Sequence, residues 1–148
     1  MDLLPDVKVT LPDGAELRLT ERLLPMVVYF YPKDDNAGCT REAQDFSALA
    51  AEFTTAGVSV IGISRDAPAK HQKFIAKYDL AVALASDEDG SACEAFGTWI
   101  EKSMYGRTYM GIERSTFLFD RSGRLAREWR KVKVPGHAAA VLDAARAL

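Results

Sequence analysis

The sequence predicts a three-layer α/β sandwich on a mixed central sheet, with flanking helices and an N-terminal β-hairpin. Two observations predict it. Continuously apolar, β-branched or aromatic runs at 26–31 and 58–63 alternate with segments of helical period, as strands do when helices cover both faces of their sheet. Beyond that alternation lies a hairpin signal, 115–119 and 125–129 around Asp120-Arg121-Ser122-Gly123, and then a closing helix. The 148 residues show no repeat, low-complexity segment or linker, so 1–148 reads as one domain with a substantial core.

Each element has its own warrant. Val7-Lys8-Val9-Thr10-Leu11 and Glu16-Leu17-Arg18-Leu19 alternate apolar and polar about Pro12-Asp13-Gly14, which predicts the opening hairpin. Residues 20–24 read as a short helical turn closed by Pro25, and the strand from Met26 should end at Pro32, which has no N–H to give a ladder. From Cys39, the spacing of Ala43, Phe46, Leu49, Ala50 and Phe53 makes one apolar helix face, with Gly57 as its stop. A strand at 58–63, a helix over 68–78 with Phe74, Ile75 and Tyr78 inward, and a short strand at 81–84 follow. Residues 92–96 read as a brief helix ending at Gly97, and 98–110 as a loop rich in Trp, Tyr and Met. Val141, Leu142, Ala145 and Leu148 give the last helix, 137–148, its apolar face.

Composition narrows the function class. Apolar residues make up 48% and charged residues 27%, the profile of a soluble globular protein. The net charge of −2 is interspersed, without a basic stripe for nucleic acid or anionic membrane. Met1-Asp2-Leu3-Leu4-Pro5-Asp6 lacks the basic-then-apolar pattern of a secretory signal, and no apolar run has membrane-spanning length. Two cysteines make no disulfide framework, so a cytoplasmic enzyme is the expected class. The two histidines and two cysteines show no zinc-ligand spacing, and neither metal nor cofactor is expected. His71, among Lys70, Gln72 and Lys73, reads as solvated, and His137, after Gly136, as a helix cap. Asp87, Glu88 and Asp89 read as a solvated cap before a short helix. Trp99, Tyr105 and Tyr109 either wall the entrance to Cys39 or form a dimer face.

The candidate reactive group is Cys39. It lies in a polar, glycine-containing junction between strand and helix, off the apolar face that starts at Ala43. A thiol is a weak nucleophile until it ionises, and the first turn of a helix favours an anion through unpaired N–H groups and the dipole. Asn36 or Asp35 can cap that helix, and Gly38 allows close backbone approach. Arg41 should point away along the helix, so the second positive charge is assigned to Arg114, just ahead of the apolar strand at 115–119. No Cys-x-x-Cys is present, which disfavours a disulfide reductase.

Two blocks then carry a family resemblance: the order Phe-Tyr-Pro-Lys-Asp…Gly-Cys-Thr-x-Glu-Ala within 29–46, and Met104 to Leu118. With Gly62-Ile63-Ser64 and Ser86-Asp87 between them, they cover nearly the whole chain and resemble peroxiredoxins of the bacterioferritin comigratory protein, or Q-type, group. The resemblance implies a thioredoxin-like fold and a thiol-dependent peroxidase that reduces hydrogen peroxide and organic hydroperoxides in antioxidant defence. Cys39 then matches the peroxidatic cysteine, Pro32 the loop proline that shields the thiolate, and Arg114 the active-site arginine; Glu42 is expected to anchor the arginine side. Thioredoxin or another thiol is the implied reductant, and a monomer or weak homodimer the implied state. The alternative is a thioredoxin-like binding or holdase module whose altered loop has lost turnover.

Two departures from the family bear on rate and resolution. Asn36 and Ala37 stand where relatives carry threonine and proline; that threonine hydroxyl bonds the bound peroxide, and Asn36 keeps an amide for the contact. An active but slower peroxidase is expected. Gln44 occupies the place, five residues after Cys39, where many relatives carry a resolving cysteine, and the helix around Phe74 has none. Cys93 remains, either as an intramolecular resolver or as a small packed residue; in the second case an external thiol reduces the oxidised Cys39.

Overall fold

The computed structural model describes residues 1–148. In chain order the strands are β1 (Lys8–Thr10), β2 (Glu16–Arg18), β3 (Met26–Phe30), β4 (Ser59–Ser64), β5 (Ala83–Ser86), β6 (Trp99–Met104), β7 (Arg107–Ile112), β8 (Ser115–Phe119) and β9 (Leu125–Trp129). The helices are α1 (Ala37–Ala48), α2 (Ala50–Thr55), α3 (Pro68–Tyr78), α4 (Ser91–Ala95) and α5 (His137–Arg146). Seven strands form one sheet in the order β2-β1-β5-β4-β3-β8-β9, parallel at β3–β4 and β4–β5 and antiparallel elsewhere. This is the mixed-sheet sandwich with an opening hairpin that the sequence predicts.

Alternation along the central strand divides the core in two. Val27, Tyr29 and Tyr31 face one layer with Phe46 of α1, Phe53 of α2, Phe74 of α3 and Val141 of α5. Met26, Val28 and Phe30 face the other, with Cys93 of α4, Phe96, Ile112 and Phe117. Gly62 on β4 admits the Tyr29 ring: a Cβ there would lie 2.4 Å from Tyr29 Cζ. No helix is long and apolar enough to cross a membrane.

Four local expectations change. The helix over 39–53 is two helices, parted at Leu49, whose N–H is shared between the carbonyls of Asp45 and Phe46 in a tightened last turn. The strand expected at 81–84 starts at Ala83, because Ser47 Oγ accepts from the Ala81 and Val82 N–H groups and withholds them from the ladder. Residues 98–110 are not a loop but largely the separate β6–β7 hairpin. Its turn is Tyr105-Gly106, both at positive φ (51° and 75°), the geometry of a two-residue hairpin turn whose usual Asn-Gly signature Tyr105 conceals. Asp87 is a cap, as expected, but a buried one: its oxygens accept from the N–H groups of Ala92 and Cys93 at 3.0 and 2.8 Å.

His137 does not cap α5; Gly136 occupies the cap position without a side-chain bond. The ring is buried between Phe46 and Trp129, and its Nε2 shares a 2.7 Å hydrogen bond with Thr116 Oγ1 on β8. Burial, helped by the Arg114 charge, pushes His137 down to about 4. Between the ordinary value of 6.5 and about 4, the unfolded chain therefore binds a proton that the folded chain refuses, and stability is lost as pH falls through that window. Denaturant midpoints should drop across it in the wild type, and His137→Gln should drop less steeply.

Candidate active site around Cys39

The antiparallel register of β3 on β8 pairs Phe30 with Ser115, so the loop leaving β3 and the residue entering β8 meet at one sheet end. That loop, Tyr31 to Asn36, leads into α1, and Arg114 immediately precedes β8. The two expected partners are brought together although they lie far apart in the chain.

Asn36, not Asp35, caps α1: its Oδ1 accepts from the N–H groups of Gly38 and Cys39 at 3.0 and 3.3 Å. Asp35 sits at φ 64° and turns its carboxylate to Lys77 and Tyr78 on α3. Cys39 thus falls in the first turn of α1 and is 1% exposed. Arg114 Nη2 donates to its sulfur at 3.3 Å, and Nη1 bonds Glu42 Oε1 at 2.8 Å. Glu42, one turn beyond the thiol, is buried and holds the other arm of the guanidinium. Gly38 leaves room for this approach: a Cβ there would lie 3.1 Å from Arg114 Nη2. Arg41 points away and pairs with Asp45 on the surface.

Opposed influences act on the thiol. Burial pushes Cys39 up and prevails in the closed site; a hydrogen bond from the Lys33 backbone, then the Arg114 charge and hydrogen bond, pull it down, and the Glu42 carboxylate adds a small push up. The expected stabilisers are therefore present, but burial outweighs them and the net lowering expected of a helix-start thiol is not reached. Burial likewise raises Glu42 to about 7 against the pull of Arg114. Three buried polar atoms close by in the chain or the core, Tyr29 Oη, Thr40 Oγ1 and Glu42 Oε2, make no hydrogen bond within the chain. The arrangement can hold a thiolate and a second developing negative charge beside one fixed guanidinium.

Half-buried Pro32 lies with Lys33, Trp99, Lys102, Tyr109 and Ile112 along one recess. Trp99 and Tyr109 thus stand beside the loop that precedes Cys39, whereas Tyr105 projects from the hairpin tip, 97% exposed. Cys93 is not brought to Cys39. It belongs to the core on the opposite face of the sheet, is 0% exposed, and its thiol is raised by burial and by a hydrogen bond to Asp87. No group of three or more His, Cys, Asp or Glu side chains is placed to hold a metal ion.

The sequence reading missed His71. It is fully buried rather than solvated, with Nδ1 2.6 Å from Asp34 Oδ2 and Nε2 3.0 Å from the Ala85 carbonyl. The signal was present in the spacing, since 71, 74, 75 and 78 share one helix face; the lysines and glutamine beside it in sequence drew the residue outward.

The chain is similar to known proteins over most of its length. The AhpC/TSA family matches residues 1–128. Peroxiredoxin Bcp of Xanthomonas campestris is 52% identical over 122 residues, 82% of this chain and 76% of that protein. Peroxiredoxin Bcp of Bacillus subtilis is 44% identical over 140 residues, 94% and 89% of the two chains. A structure of the Xanthomonas campestris bacterioferritin comigratory protein, studied for alkyl peroxide reduction, superposes with a TM-score of 0.90 at 46% identity, covering 96% of this chain and 91% of that one. Xylella fastidiosa PrxQ, as a mutant, superposes with a TM-score of 0.92 at 38% identity, covering 99% and 94%.

The raised carboxyl of Glu42 has a pH signature. Because its folded value of about 7 exceeds the ordinary 4.5, folding takes up a proton between them, and this group's contribution to stability falls as pH rises through that window. Relative to wild type, Glu42→Gln should gain stability from pH 4.5 to about 7 and then level off, read by denaturant midpoints; a flat difference would mean an ordinary carboxylate.

Proposed function

The chain belongs to the AhpC/TSA family as a Bcp-type peroxiredoxin, a thiol-dependent peroxidase, and we propose that Cys39 is its peroxidatic cysteine and Arg114 the group that stabilises it. The observation that carries the assignment is the 3.3 Å contact between Arg114 Nη2 and Cys39 Sγ, with Glu42 pinning the other arm of the guanidinium. The disabled site that a binding or holdase module would need finds no support in this arrangement.

In the first half-reaction the Cys39 sulfur attacks one peroxide oxygen in line with the O–O bond. An S–O bond forms, the O–O bond breaks, and its electron pair leaves on the second oxygen, which takes a proton and departs as alcohol or water. Sulfur is oxidised to sulfenic acid and the peroxide is reduced. Arg114 faces the sulfur, where negative charge first sits on the thiolate and then on the leaving oxygen. A fixed cation at that place stabilises the transition state more than the neutral thiol. Pro32, in the loop before the thiol, is the proposed shield of the thiolate, and the Arg114 donor receives the anion as peroxide enters.

The second half-reaction uses a thiol from outside the chain. That thiol attacks the sulfenic sulfur and expels water; a second thiol then breaks the mixed disulfide and restores Cys39. Three observations support this one-cysteine course: Cys93 lies in the opposite core, its thiol is raised rather than activated, and Gln44 stands in α1 where many relatives resolve. Thioredoxin is the proposed reductant, and the substrates are hydrogen peroxide and organic hydroperoxides, the second class in keeping with the alkyl peroxide reduction of the Xanthomonas relative. A monomer or weak homodimer acting in the cytoplasm fits the reading.

Two experiments test it. With one equivalent of peroxide, wild type and Cys93→Ser should both gain a single oxygen, trapped at Cys39, and both should turn over with an external thiol, whereas Cys39→Ser should do neither. A Cys39–Cys93 disulfide in the intact mass would instead assign resolution to Cys93. Asn36 spends its Oδ1 on the helix cap, so only its Nδ2 remains to meet peroxide. Asn36→Thr, which can cap and also offer a hydroxyl, should therefore raise the second-order rate constant for peroxide; an unchanged constant would remove Asn36 from the peroxide contact.

A further inference from the structure

We propose that His71 is a positioning residue of the peroxidase, holding the loop before Cys39 through a buried hydrogen-bond chain with Asp34 and Tyr31. The inference rests on Cys39 as the reacting sulfur. Tyr31 Oη donates to Asp34 Oδ1 at 2.7 Å, and Asp34 Oδ2 meets His71 Nδ1 at 2.6 Å. His71 Nε2 donates to the Ala85 carbonyl at 3.0 Å. All three side chains are buried, the histidine completely.

The protonation logic is fixed by these partners. A carbonyl oxygen has no proton to give, so Nε2 carries one, and the short Nδ1–Oδ2 bond holds another. The pair is neutral overall whichever side that second proton occupies, which is what permits it inside a core layer. Removing the imidazole would leave a buried carboxylate with one hydroxyl partner, and Asp34 would be driven toward water.

Asp34 is where such a movement reaches the sulfur. It lies two residues before Asn36, whose side chain caps the turn holding Cys39 by accepting from the Gly38 and Cys39 N–H groups. Its own N–H donates to Asp66 Oδ2 at 2.8 Å, and Asp66 is held by Ser64 Oγ and Lys70. The next residue, Asp35, sits in left-handed backbone at φ 64°, sparsely populated without glycine, and is gripped by Lys77 and Tyr78. Helix α3 thus fastens two successive loop residues, one in the core through His71 and one at the surface. Enzymes lose rate steeply when a reacting group is misplaced by an ångström, so an anchor this close to the donors acts on chemistry as well as stability.

The test measures Cys39 rather than stability alone. In His71→Ala, the second-order rate constant with hydrogen peroxide should fall by about tenfold to a hundredfold. The pH profile of Cys39 alkylation, recorded in Cys93→Ser background, should shift upward because the Asn36 cap no longer holds the first turn of α1 against Arg114. Asp34→Asn, with His71 in place, keeps the bond pattern, its amide donating to a neutral imidazole and its carbonyl accepting from Tyr31, and should keep most of the wild-type rate that His71→Ala loses. A His71→Ala protein with wild-type rate and alkylation profile, whatever its melting temperature, would overturn the proposal. Should His71→Ala not fold, Tyr31→Phe removes one link of the chain; a smaller shift in the same direction supports the anchor, and no shift overturns it. Cys39→Ser is run alongside: activity there would overturn the choice of sulfur, whereas failure confined to the His71 series overturns only the anchor.

Discussion

The contact between the Arg114 guanidinium and the Cys39 sulfur depends on one register. Phe30 of β3 opposes Ser115 of β8, so a loop that leaves the sheet and a strand that enters it share an end. The loop delivers the first turn of α1, and the strand delivers the cation. Glu42, on the same helix as the cysteine, takes the other arm of the guanidinium and prevents it from swinging to solvent. Slipping β8 by one residue would invert its side chains across the sheet and break both the Phe117–Phe96 packing and this meeting.

Burial works against the charge this site must carry. The sulfur and the Glu42 carboxylate are both hidden, and hiding raises both. What opposes it is a small set of aimed groups: a backbone hydrogen bond from Lys33, a helix start capped by Asn36, and one guanidinium. In a medium of low dielectric these few dipoles act strongly without reorganising. Charge at this sulfur therefore depends on the few groups aimed at it.

The two cysteines illustrate how one residue type takes two roles. Both are buried, but on opposite faces of one sheet. Cys39 meets a guanidinium, and Cys93 meets the Asp87 carboxylate that caps α4, which holds the proton on sulfur. The proposed external reductant follows from this separation, and with it the loop and α3 need not part during turnover. The fastening of Asp34 and Asp35 to α3 suits a site that stays folded through its cycle.

By itself the sequence determined the sandwich and the place of Cys39 at a helix start, because strand composition, helical period and junction chemistry are local signals. Arg114 was a candidate from its place ahead of β8, and the β3–β8 register is what brings it to the sulfur. Periodicity even carried the inward face of His71, though its charged neighbours masked it. Only the tertiary structure decided which side chain caps α1, that Glu42 is buried against Arg114, and that Asp87 is inside. The hairpin at 99–112 also came from the fold, since Tyr105-Gly106 lacks the usual turn residues and the strands have an exposed face. Above all, the separation of Cys39 from Cys93 is a matter of which face of the sheet each helix covers. Spacing along the chain carries no record of that, because connections alone, not local preference, send α1 to one side and α4 to the other.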